Sequence, residues 1–159
     1  MKPQFIFKSE KKEILIKLEY YGINQLDFLL IHSGNENIRG YSGSLSTDEI
    51  MNLDEAVRIE LTGMYLFNTN DKDGGLRLSF DAVHILGNQI TKNILELNDE
   101  QAKEFLKGGD IALSDKDKEK FKDEPSGLKV VKNKGEFLGT CKLTYERIIN
   151  YMPKERRLR

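Results

Sequence analysis

The fold is decided by residues 127–159, which read GLKVVKNKGEFLGTCKLTYERIINYMPKERRLR. Three apolar runs alternate there with turn signals, and this spacing predicts strands over 128–132, 137–143 and 147–151. Three short strands joined by tight turns favour a small β-barrel or a curled sheet.

The same stretch is strongly basic. It contains nine Lys or Arg against three Asp or Glu, a net charge of +6, whereas the whole chain has a net charge of −1. The remaining 126 residues therefore carry −7. So uneven a distribution is typical of a surface that binds a polyanion. We predict that residues 127–159 bind RNA.

Length and composition indicate a soluble globular protein of one domain or two small ones, with 159 residues, 38% hydrophobic and 32% charged. No apolar run approaches the roughly 20 residues of a membrane span, so no membrane partner is expected. The N-terminus lacks the pattern of a secretory signal. The single cysteine, Cys141, excludes an internal disulfide. Together these features predict a cytoplasmic protein.

Residues 1–90 are predicted to form an N-terminal α+β unit. The predicted elements are a strand over 4–7, a helix over 9–21 capped by Ser9, strands over 27–32 and 37–42, a helix from Ser46 or Thr47 to Leu53, and antiparallel strands over 57–67 and 76–86 joined by a turn over 68–75. This half has nine basic and thirteen acidic residues, so we do not expect it to be the main polyanion site.

Residues 91–159 are predicted to form a second unit. Strand character over 90–97 leads into a helix that is capped by Asn98 or Asp99 and ends at Leu106 or Lys107. A brief strand follows over 111–113. The charge-dense segment 114–126 is predicted to be exposed, with one helical turn and a single apolar anchor, Phe121.

These elements resemble the PUA domain, the small β-barrel named for pseudouridine synthases and archaeosine transglycosylases. The resemblance rests on the helix followed by Leu106-Lys107-Gly108-Gly109-Asp110-Ile111, on the Val130-Val131-Lys132 strand, on the Phe137-Leu138-Gly139 centre, and on Asn150-Tyr151-Met152-Pro153 running into a basic tail. It implies an α+β fold in which a C-terminal PUA-like barrel follows the N-terminal unit.

With residues 1–90 in front, the chain resembles the stand-alone archaeal proteins that are grouped with the Sun/Fmu family of ribosomal RNA cytosine methyltransferases. It resembles their RNA-binding portion without the catalytic domain. The resemblance implies binding of structured RNA, ribosomal or transfer RNA, in ribosome biogenesis or RNA modification. An RNA methyltransferase or another modification enzyme is the partner protein that it suggests.

The resemblance places the RNA on the loop after the first helix of the second unit and on the late strands, and the positive charge of the tail adds the tail to the predicted site. The residues concerned are Lys107, Gly108, Gly109, Asp110, Lys132, Lys134, Lys142, Arg147, Tyr151, Lys154, Arg156, Arg157 and Arg159. Glycines without a Cβ would let sugar and phosphate approach the backbone, cations would neutralise phosphates, and Tyr145 or Tyr151 would stack on a base. A helix C-cap at Gly108 and a solvated tail are the structural alternatives.

Residue patterns for catalysis and metal binding do not favour an enzyme. Cys141 follows Thr140 in an alternating strand, which indicates core packing, not a methyltransferase nucleophile. No glycine-rich turn that could hold a methyl-donor cofactor follows a predicted strand, so no cofactor is expected. His32 and His84 stand far apart without ligand spacing, so no metal is expected.

Two further hypotheses concern the acidic loop and the function. Asp71, Asp73 and Gly74 suggest a calcium loop, but Thr69 and Phe80 stand where oxygen ligands would be needed, which favours a hairpin turn. The alternative to a non-catalytic RNA-binding protein is a protein-interaction adaptor for an RNA-modifying enzyme, without RNA affinity of its own.

Overall fold

A computed structural model describes residues 2–72 and 75–159. The first half contains a five-stranded sheet with the order β1-β2-β3-β4-β5, in which all neighbours are antiparallel. Its strands are β1 (Gln4–Phe5), β2 (Leu29–Ser33), β3 (Asn37–Tyr41), β4 (Met64–Asn68) and β5 (Arg77–Leu78).

The second half contains another five-stranded sheet, with the order β6-β8-β9-β10-β7. Its strands are β6 (Ile94–Glu96), β7 (Ile111–Ala112), β8 (Gly127–Asn133), β9 (Glu136–Leu143) and β10 (Arg147–Asn150). β6 is parallel to β8, and the other pairs are antiparallel. The α+β class and the three late strands are confirmed. No pairing between β6 and β7 is present in the described parts of the chain, so closure into a barrel stays a prediction.

Five α-helices accompany the sheets in the described residues: α1 (Lys8–Leu18), α2 (Thr47–Val57), α3 (Phe80–Ile85), α4 (Asp99–Leu106) and α5 (Asp115–Lys120). Reciprocal capping bonds confirm Asn98 as the cap of α4 and Ser46 as the cap of α2. The predicted Ser9 cap is wrong, because α1 begins one residue earlier and Phe7 occupies its cap position without a side-chain bond. None of the helices within 2–72 and 75–159 has the length and apolar character of a membrane span.

The predicted strand over 57–67 is wrong in its first half. The helix α2 continues to Val57, and the backbone then turns at Arg58, which has a positive φ of 50°. The amide of Ile59 donates to the Asp54 carboxylate at 2.7 Å. The side chains of Val57 and Leu61 remain 65% and 66% exposed. Alternation alone therefore predicted a strand that has no buried face.

The predicted strand over 76–86 is also largely wrong. Only Arg77 and Leu78 form a strand, and the hydroxyl of Ser79 then caps α3 by accepting from the amide of Ala82 at 3.0 Å. A serine cap with Asp81 in the first turn is a helix-start signal that outweighs the apolar run. The predicted turn over 68–75 contains Asp73 and Gly74, which lie outside the described residues, so the turn and the calcium alternative stay untested there.

The two halves share a hydrophobic core. Leu128 and Val130 of β8 belong to the same buried cluster as Leu18, Tyr21 and Val83 of the first half. Polar contacts cross the junction as well: the Tyr20 hydroxyl donates to the Leu128 carbonyl at 2.8 Å and the Thr140 hydroxyl donates to the Leu78 carbonyl at 3.0 Å. The halves are therefore packed against each other, while the domain boundary near residue 90 stays a prediction.

Candidate nucleic-acid interface

The loop after α4 is a glycine-terminated helix end. Gly108 has a φ of 87°, and its amide donates to the Phe105 carbonyl at 2.9 Å. The amide of Gly109 donates to the Glu104 carbonyl at 3.1 Å. These bonds satisfy the last carbonyls of the helix, so the C-cap interpretation of the glycines is correct.

The loop is tied to β10 by one asparagine. The side-chain amide of Asn150 donates to the carbonyls of Phe105 at 2.7 Å and Gly109 at 3.0 Å. The backbone amide of Asn150 donates to the Asp110 carboxylate at 2.9 Å, and Arg147 lies 3.7 Å from the other oxygen of that carboxylate. The structure therefore brings the predicted loop and β10 together, and it gives Asp110 an internal partner.

Other side chains of the protein occupy the space beside the two glycines. A Cβ at Gly108 would collide with the guanidinium of Arg157, and a Cβ at Gly109 would collide with the carboxylate of Glu104. We expected the missing Cβ atoms to leave this backbone open to sugar and phosphate. That reason is wrong, because Arg157 and Glu104 occupy the space. RNA contact at Lys107, Gly108, Gly109 and Asp110 stays a prediction, and Lys107 is exposed at the C-cap.

The basic tail returns over the same loop. Arg157 donates to the Met152 carbonyl at 3.2 and 3.1 Å, and the amide of Leu158 donates to the Leu106 carbonyl at 2.8 Å. The tail is thus held against α4, which departs from the solvated-tail alternative. Lys154 and Arg159 are exposed, and none of the described residues pairs with them.

The strand lysines lie elsewhere on the second sheet. Lys132 of β8 lies over the Phe137 ring, 4.7 Å from its centroid. Lys134, in the β8–β9 turn, lies 2.7 Å from the Asp99 carboxylate. Hydrogen bonds from Lys134 and Asn133 hold the pKa of Asp99 below its ordinary value. Lys142 is half-buried in β9, opposite Ile149. Lys132 and Lys134 therefore contact groups outside the tail.

A groove that the sequence did not predict lies at the junction of the two halves. It has a volume of about 530 Å³, and its walls include Tyr65, Arg77, Phe80, Tyr151 and Arg156. Arg77 lies 4.6 Å from the centroid of the Tyr151 ring, and Arg156 lies 5.4 Å from that of Phe80. Only Tyr151 and Arg156 were among the predicted site residues. Arg77 and Phe80 were not predicted as site residues, because residues 76–86 were incorrectly interpreted as one strand.

Cys141 is buried, and both histidines contact other residues of the chain. Cys141 is 0% exposed, and burial raises the pKa of its thiol to about 12, although the Lys129 ammonium opposes the shift. His32 contacts the Glu10 carboxylate at 2.7 Å, and Nδ1 of His84 lies 2.8 Å from the Phe80 carbonyl oxygen. Across residues 2–72 and 75–159, no group of three or more His, Cys, Asp or Glu could hold a metal ion.

The second half of the chain is similar to a known domain family. Residues 92–158 match the family model of the methyltransferase RsmF PUA domain. The match covers all five strands of the second sheet together with α4 and α5. A search of curated proteins finds no match to the chain. The match of residues 92–158 is therefore consistent with a PUA domain of Sun/Fmu-type methyltransferase relatives.

Proposed function

We propose that this chain is a non-catalytic RNA-binding protein that recognises structured ribosomal or transfer RNA. Its setting is ribosome biogenesis or RNA modification in an archaeal cytoplasm, beside a separately encoded modification enzyme such as a methyltransferase. The observation that carries the proposal is the PUA domain at 92–158, since this domain type indicates RNA binding.

The distribution of accessible cations supports the proposal. A cation contributes to salt-dependent RNA affinity when it exchanges counterions for a phosphate. Lys107, Lys154 and Arg159 are exposed, and the described residues leave their charges unpaired. Arg157 is held against Met152, and Lys134 contacts Asp99. We therefore assign most of the phosphate binding to Lys107, Lys154 and Arg159.

The test is a titration of the chain with a structured RNA at several salt concentrations, read by fluorescence anisotropy. The logarithm of the affinity should fall linearly with the logarithm of the salt concentration. A Lys154→Ala/Arg159→Ala double variant should reduce the steepness of that line by about 1.4 to 1.8, because each phosphate contact contributes roughly 0.7 to 0.9.

A matched control removes two positive charges from the acidic half. Lys8 and Lys12 are exposed on α1, and a Lys8→Ala/Lys12→Ala variant changes the net charge by the same amount. This variant should keep the wild-type slope. Equal slopes for all three proteins would contradict the assignment of the phosphate contacts, and no binding at low salt would contradict RNA binding itself.

The adaptor hypothesis is the second candidate, and an exposed apolar surface favours it. Leu53 and Val57 at the end of α2, together with Leu61 after it, are 42%, 65% and 66% exposed. If the chain binds no RNA but forms a complex with an RNA methyltransferase, the adaptor hypothesis replaces the first proposal. Methyl transfer to RNA by the purified chain would contradict both.

A further inference from the structure

The junction groove is built from both halves of the chain. Tyr65 comes from β4, Arg77 from β5 and Phe80 from the first turn of α3, whereas Tyr151 and Arg156 follow β10. The family match begins at residue 92, so Tyr65, Arg77 and Phe80 lie outside it. The groove is therefore a feature of this two-part chain and not of the PUA domain alone.

Each arginine of the groove is placed on an aromatic ring. Arg77 lies over Tyr151, and Arg156 lies over Phe80 while its guanidinium contacts the Asp81 carboxylate at 3.1 Å. Burial raises the pKa of the Tyr65 phenol, and the neighbouring Arg77 opposes the shift. Proteins stack unpaired bases on flat guanidinium and aromatic groups such as these.

The charge of the groove suits a heterocycle better than a phosphate. Its two arginines are balanced by Asp81 and Glu155, which also line it. An uncharged base offers acceptors to a guanidinium and amino donors to a carboxylate. The unpaired cations Lys154 and Arg159 stand on the same tail as Arg156, where they would meet the flanking phosphates.

We propose that the groove between the two halves binds one unpaired nucleotide of the RNA, with its base stacked against Arg77 and the aromatic rings. A volume of about 530 Å³ lies within the range of pockets for small organic ligands. The inference rests on the proposed RNA binding and adds a preference for RNA with an unpaired nucleotide over a continuous duplex.

The experiment compares two RNA hairpins that differ by a single bulged nucleotide, with 2-aminopurine as the bulged base. The wild-type chain should bind the bulged hairpin at least about fivefold more tightly, the lower range of the stacking contribution of one base. An Arg77→Lys variant keeps the charge but loses the planar group, so it should bind both hairpins alike while keeping the wild-type affinity for the continuous one.

The control is Arg58→Lys, since Arg58 is exposed at the end of α2 and does not line the groove. This variant should keep the preference. Equal wild-type affinity for both hairpins, or the same preference in both variants, would overturn the groove assignment and leave the proposed function intact. Failure of both hairpins to bind would instead contradict the proposed function.

A second measurement separates nucleotide binding from a purely structural role of Arg77 in joining the halves. The 2-aminopurine fluorescence of the bulged hairpin should change when wild-type protein is added to saturation, because the base moves into the groove. Unchanged fluorescence in a complex that anisotropy shows to be formed would contradict the proposal, even if Arg77→Lys lowers the thermal stability of the chain.

Discussion

The guanidinium of Arg157 covers the backbone of Gly108, in the space that a Cβ at residue 108 would occupy. The same guanidinium donates to the Met152 carbonyl. One arginine thus joins the end of α4 to the segment after β10. Arg157 of the basic tail therefore occupies the space beside Gly108, whereas Lys154 and Arg159 of the same tail are exposed.

Replacing Gly108 by alanine should destabilise the chain in two ways. The left-handed backbone costs about 1–2 kcal/mol for an L-residue, and the new methyl group displaces Arg157. Gly135→Ala is the matched control, because Gly135 has the same φ of 87° with nothing near its Cβ position. Urea unfolding should show a larger loss for Gly108→Ala. Equal losses would mean that the Arg157 contact contributes nothing.

Releasing Lys134 from Asp99 should strengthen RNA binding. Asp99 accepts a hydrogen bond from Lys134 at 2.7 Å, and an Asp99→Asn variant removes the opposing charge while retaining a polar side chain. Anisotropy at low salt should show a few-fold higher affinity. Asp48→Asn, in the first turn of α2, is the control with the same change of charge. An equal gain in both variants would indicate only a net-charge effect.

The two residues of the Lys129–Glu124 ion pair should differ in how much stability is lost when each one is replaced. The Lys129 side chain is fully buried, while Glu124 is 41% exposed, and Lys129 also donates to Asn93 at 2.7 Å. Glu124→Ala leaves a buried ammonium without its counter-ion, so we expect a loss of about 2 kcal/mol. Lys129→Met lets Glu124 return to water and should cost less than about 1 kcal/mol.

The exposed pair Glu119–Lys122 supplies the comparison for that experiment. Glu119→Ala should change the free energy of unfolding by less than about 0.5 kcal/mol, because solvent screens the pair. A Lys129→Met loss larger than that of Glu124→Ala would contradict this order and show that the hydrogen bond of the ammonium to Asn93, which methionine cannot make, contributes more than the pairing with Glu124.

Acid should weaken the attachment of α5. Burial raises the pKa of Asp117, but hydrogen bonds from Ser114 and Gln101 outweigh it and leave the pKa below its ordinary value. A lowered folded-state pKa stabilises the chain above about pH 4, and the contribution is lost as pH falls through the folded value. Wild type should therefore lose its advantage over Asp117→Asn in acid, an effect below about 1 kcal/mol.

Cys141 should be unreactive in the folded chain. Its thiol is buried and its pKa is raised to about 12, so almost no thiolate forms at neutral pH. A disulfide reagent such as DTNB should modify it only after unfolding in urea. Cys141→Ala should keep RNA binding at a cost on the order of 1 kcal/mol. Rapid labelling of the native chain would contradict this placement.

Features that depend on neighbouring residues could be predicted from the sequence. The Asn98 cap with Gln101 and the β8–β9 turn are local, because a few consecutive side chains and backbone angles determine them. The three late strands followed from the same local signals. Where two local signals competed, as at Ser79, the helix cap prevailed over the apolar alternation.

The tertiary structure decided which of these residues meet. Arg77 of β5 and Tyr151, which follows β10, are far apart in the chain, and no local pattern pairs them. Strand pairing and the shared core bring them into one groove, just as they bury Lys129 beside Glu124. Sequence established the basic stretch 127–159 and the PUA-like order of elements. Only packing showed that Arg157 closes the space beside Gly108, because long-range contacts depend on how whole elements fit together.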